Sequence, residues 1–188
     1  MKPHRVFIAV DLPENIKREL LSYQTQWKEL PARWAKPENL HFTLAFIGNT
    51  SDTELEQIKT LLAKEAEQHT SFPIQLERIA YGPNEANPKM IWATFVSSQD
   101  LKNLQKGVEQ TLSEAKLYTP QPDSFLPHIT LAKLAQWQFQ RMEPEERPTV
   151  DQEINLAVFA QSIEIMESKT KQSGTEYSRI SNIALGDS

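Results

Sequence analysis

Two copies of one tetrapeptide constrain this chain more than anything else in it: His41-Phe42-Thr43-Leu44 and His128-Ile129-Thr130-Leu131. The protein has four histidines, and two of them open these motifs. Each copy lies in an apolar run, HFTLAFI or HITLAKL, that reads as a β-strand. Side chains alternate between the two faces of a strand. Strict alternation predicts His41, Thr43 and Ala45 on one face, with Phe42, Leu44 and Phe46 on the other. It likewise separates His128, Thr130 and Ala132 from Ile129 and Leu131. The apolar face is expected to be core. The opposite face sets an imidazole and a hydroxyl roughly 7 Å apart, at about 3.3–3.4 Å of rise per residue.

The segments around the motifs repeat as well. Arg5–Val10 reads as a strand, and Asp11-Leu12-Pro13-Glu14 as an acidic N-cap opening a helix to about Glu29. Ile16, Leu20, Tyr23 and Trp27 give that helix its apolar stripe. The loop-like PARWAKPEN then delivers the chain to His41. Ser51 with Glu54 predicts a capping box for a helix burying Leu55, Ile58, Leu61 and Leu62. Strands are expected at 72–80 and 89–97, around the Gly82-Pro83 turn. Met90–Val96 then begins a second round. Ser98 caps a helix to about Glu114, with Leu101, Leu104, Val108 and Leu112 inward, and the loop TPQPDSFLP leads to His128. Phe7 to His41 spans 34 residues and Trp92 to His128 spans 36. After a polar loop, MEPEERPTVDQE, Ile154–Ser168 is expected as a bent or broken strand. Tyr177–Leu185 follows as a last strand, beyond the turn-rich KTKQSG.

This order predicts one α+β domain over residues 1–188 with mainly antiparallel sheets. Two intertwined halves, 1–88 and 89–188, would face each other across a cleft, each contributing one histidine strand. Composition sets outer bounds. No apolar run reaches the length of a membrane span, and the N-terminal apolar run is too short for a signal peptide. Zero cysteines exclude disulfides and thiolate chemistry and fit a cytoplasmic protein. A net charge of −5 argues against coating a polyanion broadly, so a nucleic-acid substrate would be met by a small pocket, at a chain end.

Paired imidazoles suit acid–base chemistry, because a pKa near 6.5 lets one act as base and the other as acid near neutrality. The Thr43 and Thr130 hydroxyls, on the same faces, are hydrogen-bond donors for charge developing on a substrate. No His-x-x-x-His, no cysteine and no acidic residue at ligand spacing accompanies either motif, so no metal and no cofactor is expected. His4 and His69 lie outside the motifs and are expected to face solvent. Trp34, Tyr81 and Phe125 lie in or near loops where a ring could stack on a base, although packing is the commoner role for each. Lys133 is a candidate contact for an anionic substrate; strict alternation puts it off the catalytic face unless the strand ends or twists there.

The paired motifs, with RVFIAVDLP, RWAKPENLHFTLAFIG, FLPHITLAK and ESKTKQSGTEYSRI, resemble the two-histidine phosphoesterases, in particular the RNA 2′,3′-cyclic phosphodiesterases also called 2′-5′ RNA ligases. The resemblance covers nearly the whole chain. It implies a bilobal fold of two mainly antiparallel sheets with pseudo-twofold symmetry around a central cleft, helices outside. It also implies a monomer acting without metal on RNA ending in a 2′,3′-cyclic phosphate, or on a cyclic nucleotide, and leaving a 2′-phosphate. His41 would protonate the departing 3′ oxygen and His128 would activate water. With a 5′-hydroxyl in place of water the same pair would make a 2′-5′ bond. One departure from the family matters: arginine is common five residues after the second histidine, where Lys133 stands, and a point charge replaces a bidentate contact. Two other functions fit the same residues. One is a non-catalytic module binding RNA ends; the other is a sister phosphodiesterase for ADP-ribose-derived cyclic phosphates or 2′-5′ oligonucleotides.

Overall fold

The computed structural model describes residues 3–120, 126–171 and 174–186. Nine strands form one sheet among them: β1 (His4–Asp11), β2 (Ala32–Trp34), β3 (His41–Thr50), β4 (Phe72–Gly82), β5 (Met90–Phe95), β6 (His128–Leu134), β7 (Asp151–Ala160), β8 (Ser162–Lys171) and β9 (Gly174–Ala184). The order β7-β4-β5-β6-β3-β1-β8-β9 is a palindrome of roles, with the two histidine strands at its centre. β3 and β6 meet through one residue pair, Phe42 with Ile129. The two expected sheets are therefore antiparallel halves, β7-β4-β5-β6 and β3-β1-β8-β9, joined into a continuous sheet at that point, with β2 added beside β6. Each half draws strands from both sides of residue 88: β4 pairs with β5 and β7, while β8 and β9 extend β1.

Helices α1 (Glu14–Ser22), α2 (Asp52–Ala66) and α3 (Gln99–Glu114) bury Ile16, Leu20, Ile58, Leu62, Leu104 and Val108 in one core with Val6, Ile8, Phe42, Leu44, Ile129 and Leu131. Burying such a side chain fully contributes about 1.5–3 kcal/mol. The α2 capping box forms as the sequence predicts: the Glu54 amide donates to Ser51 Oγ at 3.3 Å and the Ser51 amide to Glu54 Oε2 at 2.8 Å. Ser98 caps α3 in the same way, accepting from the Leu101 amide at 3.3 Å.

Several local expectations change. α1 closes at Ser22 and tightens into a 3₁₀ turn over Tyr23–Trp27, so Trp27 is still buried. Asp11 does not cap α1; Pro13 occupies the cap position, and the Asp11 carboxylate accepts from the Leu12 amide and pairs with Lys17 Nζ at 2.9 Å. Part of the expected loop before His41 is strand β2, which pairs with β6. The long strand after the polar loop is broken as expected, into β7 and β8 at Gln161. A short α4 (Gln136–Gln140) follows β6. His69 is not solvent-facing but half-buried, its Nε2 2.9 Å from Glu65 Oε1; His4 sits between Glu167 and Asp52, at 2.8 and 2.9 Å. No helix among the described residues is long and apolar enough to cross a membrane.

Candidate active site

The pair Phe42 with Ile129 fixes the site, because antiparallel strands meeting there bring their neighbours together in crossed fashion. Continuing the register by one residue sets His41 across from Thr130 and Thr43 across from His128. All four side chains lie on the face away from the helical core, and all four are partly exposed. Each lobe thus presents its histidine beside the other lobe's threonine. Among the described residues Thr43 makes no side-chain hydrogen bond, and Thr130 Oγ1 has only the Met90 sulfur at 3.9 Å, beyond ordinary hydrogen-bond strength. Both hydroxyls are available to an anion.

Strict alternation fails just past each motif, in the same way. Opposite β3, the register slips between Ile8 and Ala9; opposite β6, it slips between Ile91 and Trp92. Leu44 and Leu131 are the extra residues of two β-bulges, and each shifts the pleat by one. Ala45 and Ala132, expected on the histidine face, are buried in the helical core instead. Phe46, expected in the core, is 69% exposed, and its ring lies 5.7 Å from that of Phe7. Lys133 consequently joins the face of His128 and Thr130, where it pairs across from Met90.

Beneath this common frame the two lobes differ. Asp11 stands across from His41, whereas Thr94 stands across from His128. Ala9 stands across from Thr43, whereas Trp92 stands across from Thr130. His41 lies 4.9 Å from the Phe7 ring and meets Tyr177 edge-on at 5.1 Å, over a small second cluster of Phe7, Ala9 and Met166. His128 stacks on Trp92 at 3.7 Å and 16°. Gly82 supports that stack: a Cβ there would stand 2.2 Å from the indole.

Burial lowers the pKa of His41 to about 4, against Asp11, which favours the charged ring; Lys17 and His128 push it further down. The Asn39 carbonyl, two residues back, also favours the charged ring, yet His41 Nδ1 forms no hydrogen bond of regular geometry. Burial lowers His128 as well, opposed by the Leu126 carbonyl, which accepts from Nδ1 at 2.8 Å. A carbonyl only accepts, so His128 carries its proton on Nδ1 when neutral and keeps the Nε2 lone pair for the cleft. Lys17 is almost fully buried; burial works against its charge, but Asp11 and Glu14 outweigh it and raise the pKa.

The other sequence candidates separate. Trp34 lies on β2 with its ring parallel to Trp27, 6.3 Å away, packed on the core. Tyr81 donates to the Pro148 carbonyl at 2.8 Å and packs edge-on against Phe139. Both rings are partly buried and pack against the core. Phe125 lies outside the described residues. Asp11, Trp92, Tyr177 and the bulges were not singled out from sequence, because each enters through pairing between distant strands. Among the described residues no three His, Asp or Glu side chains are grouped to hold a metal ion.

A near-symmetric sheet whose two central strands each turn His-x-Thr onto one shared face is the two-histidine phosphoesterase fold. The model of the LigT-like phosphoesterases matches residues 10–92, which include the first motif. An RNA 2′,3′-cyclic phosphodiesterase of Thermus thermophilus is 34% identical over 139 residues, covering 69% of this chain and 68% of that protein. The chain belongs to the LigT-like phosphoesterase family. Among solved structures, TT0787 of Thermus thermophilus superposes with a TM-score of 0.83 at 25% identity, over 97% of this chain and 98% of that one. Escherichia coli LigT, complexed with 3′-AMP, superposes at 0.75 and 21% identity over 97% and 98%.

Proposed function

We propose that this protein opens 2′,3′-cyclic phosphate ends of RNA to 2′-phosphates, by acid–base catalysis between His41 and His128. The observation that carries the reading is the crossed His/Thr constellation on one face, with His128 held in the tautomer that leaves Nε2 free. The T. thermophilus relative bears the name of this activity. Water attacks phosphorus while its proton passes to His128 Nε2; the bond from phosphorus to the 3′ oxygen breaks, and His41 supplies that oxygen's proton. Thr43 and Thr130 donate to the non-bridging oxygens, with Lys133 as a further cation. Protons then re-equilibrate through solvent.

Asymmetry in the frame supports this division of roles. The arriving phosphate adds negative charge beside both rings and raises both pKa values. His41 has Asp11 across the strand as well, a second anion favouring its charged form; His128 has neutral Thr94 there. In the free protein burial, with Lys17, outweighs Asp11 and holds His41 neutral, so its part as acid depends on the negative charge that substrate brings. With a 5′-hydroxyl replacing water, the same exchange forms a 2′-5′ bond.

Phosphorus NMR of a short RNA ending in a cyclic phosphate, run in EDTA, tests the reading. Conversion to a single 2′-phosphate is expected. A 3′-phosphate would reverse the leaving oxygen; binding without conversion would leave a module for RNA ends. A second expectation concerns Gly82→Ala. The new methyl displaces Trp92, on which His128 rests, and a misplacement of about 1 Å can cost 10²-fold in rate. Turnover should fall by about that factor while KM moves little. A variant with wild-type kcat would remove Trp92 from the positioning of His128.

A further inference from the structure

Two cations face each other at the end of the cleft. Lys133, carried onto the catalytic face by the Leu131 bulge, pairs directly across from Arg33 on β2. Like charges directly opposite on antiparallel strands destabilise a sheet. The chain has 25 acidic residues against 20 basic ones, yet among the described residues neither of these two has an ion-pair or hydrogen-bond partner. Arg33 is exposed. Its charge, with that of Arg5, favours the ionised form of Tyr177 against burial, which places it within electrostatic reach of the ring edge-on to His41. The repulsion is retained on the face that carries both His-x-Thr motifs.

Positions along the strands suggest a division of labour. With the bulge discounted, Lys133 lies one face position beyond Thr130, roughly 7 Å along β6. Arg33 lies about 5 Å to the side, on the edge of β6 that also pairs with β3, and so in line with His41. Both cations lie past the same end of a phosphate held between Thr43 and Thr130; with Lys133 turned to that phosphate, Arg33 is left for a second anion. RNA has one to offer, the phosphodiester preceding the terminal nucleotide. A cyclic mononucleotide has none.

We infer that Arg33 binds the phosphate one nucleotide upstream of the cyclic end, and so makes the site prefer RNA chains over cyclic mononucleotides. The inference rests on the phosphodiesterase reading. Guanidinium suits the task, since its fork matches two phosphate oxygens at once.

The test compares kcat/KM for a short RNA ending in a 2′,3′-cyclic phosphate with that for 2′,3′-cyclic AMP, in wild type and Arg33→Ala. The ratio of the two should fall about tenfold in the variant, carried by KM for the RNA. The slope of log KM for the RNA against log salt should drop by about 0.7, one phosphate contact on a single strand. The variant should melt no lower than wild type, because the repulsion with Lys133 is gone. A ratio unchanged from wild type overturns the inference, whether both substrates suffer together or neither does. A wild-type protein that hydrolyses neither substrate fails the phosphodiesterase reading itself, and the inference with it.

Discussion

Alanine at either His41 or His128 is expected to lower kcat by about 10²–10⁴, with the fold intact. Each ring has one proton-transfer task, and the crossed threonines next to it bind phosphate without moving protons. The double variant should be little worse than the poorer single one, because acid and base act in one step and fail together. Survival of the fold follows from what each ring touches. His41 contacts Phe7 and Tyr177 and leaves a buried Nδ1 without a regular hydrogen bond, so its loss removes packing and a polar burden together. His128 forfeits its stack on Trp92, an arrangement worth about 0.5–1.5 kcal/mol between aromatic rings. Single-turnover rates and thermal melts of the three variants check both halves of the expectation. A variant that keeps a tenth of wild-type turnover would sink the two-histidine mechanism.

The histidines were legible in sequence because duplication is visible without any knowledge of pairing. The helical core was legible for a similar reason: Leu55, Ile58 and Leu62, or Leu101, Leu104 and Val108, announce their shared face by spacing alone, and all six are buried. What alternation could not show is where the alternation stops. A bulge depends on the partner strand, and neither Leu44 nor Leu131 differs in character from a regular strand leucine. Ala45 and Phe46 were therefore exchanged between faces, and Lys133 reached the catalytic face by the twist its role required. Asp11 was misread for a local reason. An acid followed three residues later by Glu14 has the composition of a capping box, but Pro13 takes the cap and β1 carries Asp11 one residue further, opposite His41. Arg33 was hidden inside a proline-bearing segment that looks like a loop until β6 is available to pair with it. Everything that makes the two lobes unequal thus lies in cross-strand partners. That is why the sequence offers two equivalent histidines and the structure offers two different ones.

The inequality has a consequence in pH. In the free protein His41 titrates at about 4, and His128 also lies below its ordinary 6.5. The working form has one ring protonated and one neutral, so kcat/KM is expected to trace a bell set by the two apparent pKa values of the pair. Both limbs then fall on the acid side of 6.5, and kcat/KM should decline by up to tenfold per pH unit through the neutral range. The basic limb of kcat should lie at higher pH, since it reports the complex, in which phosphate raises both rings. A kcat/KM that climbs steadily through pH 8 would contradict this. Folding stability carries the same signature with a definite sign. A histidine whose folded pKa is depressed binds its proton more readily when unfolded, so its contribution is complete above about 6.5 and is lost as pH falls toward about 4. The shift corresponds to at most about 3 kcal/mol. His41→Asn, which cannot titrate there, should therefore lose less stability than wild type between pH 6.5 and 4 in urea unfolding. Equal losses in the two proteins would mean that burial does not hold His41 neutral, and the acid-side bell would lose its physical basis.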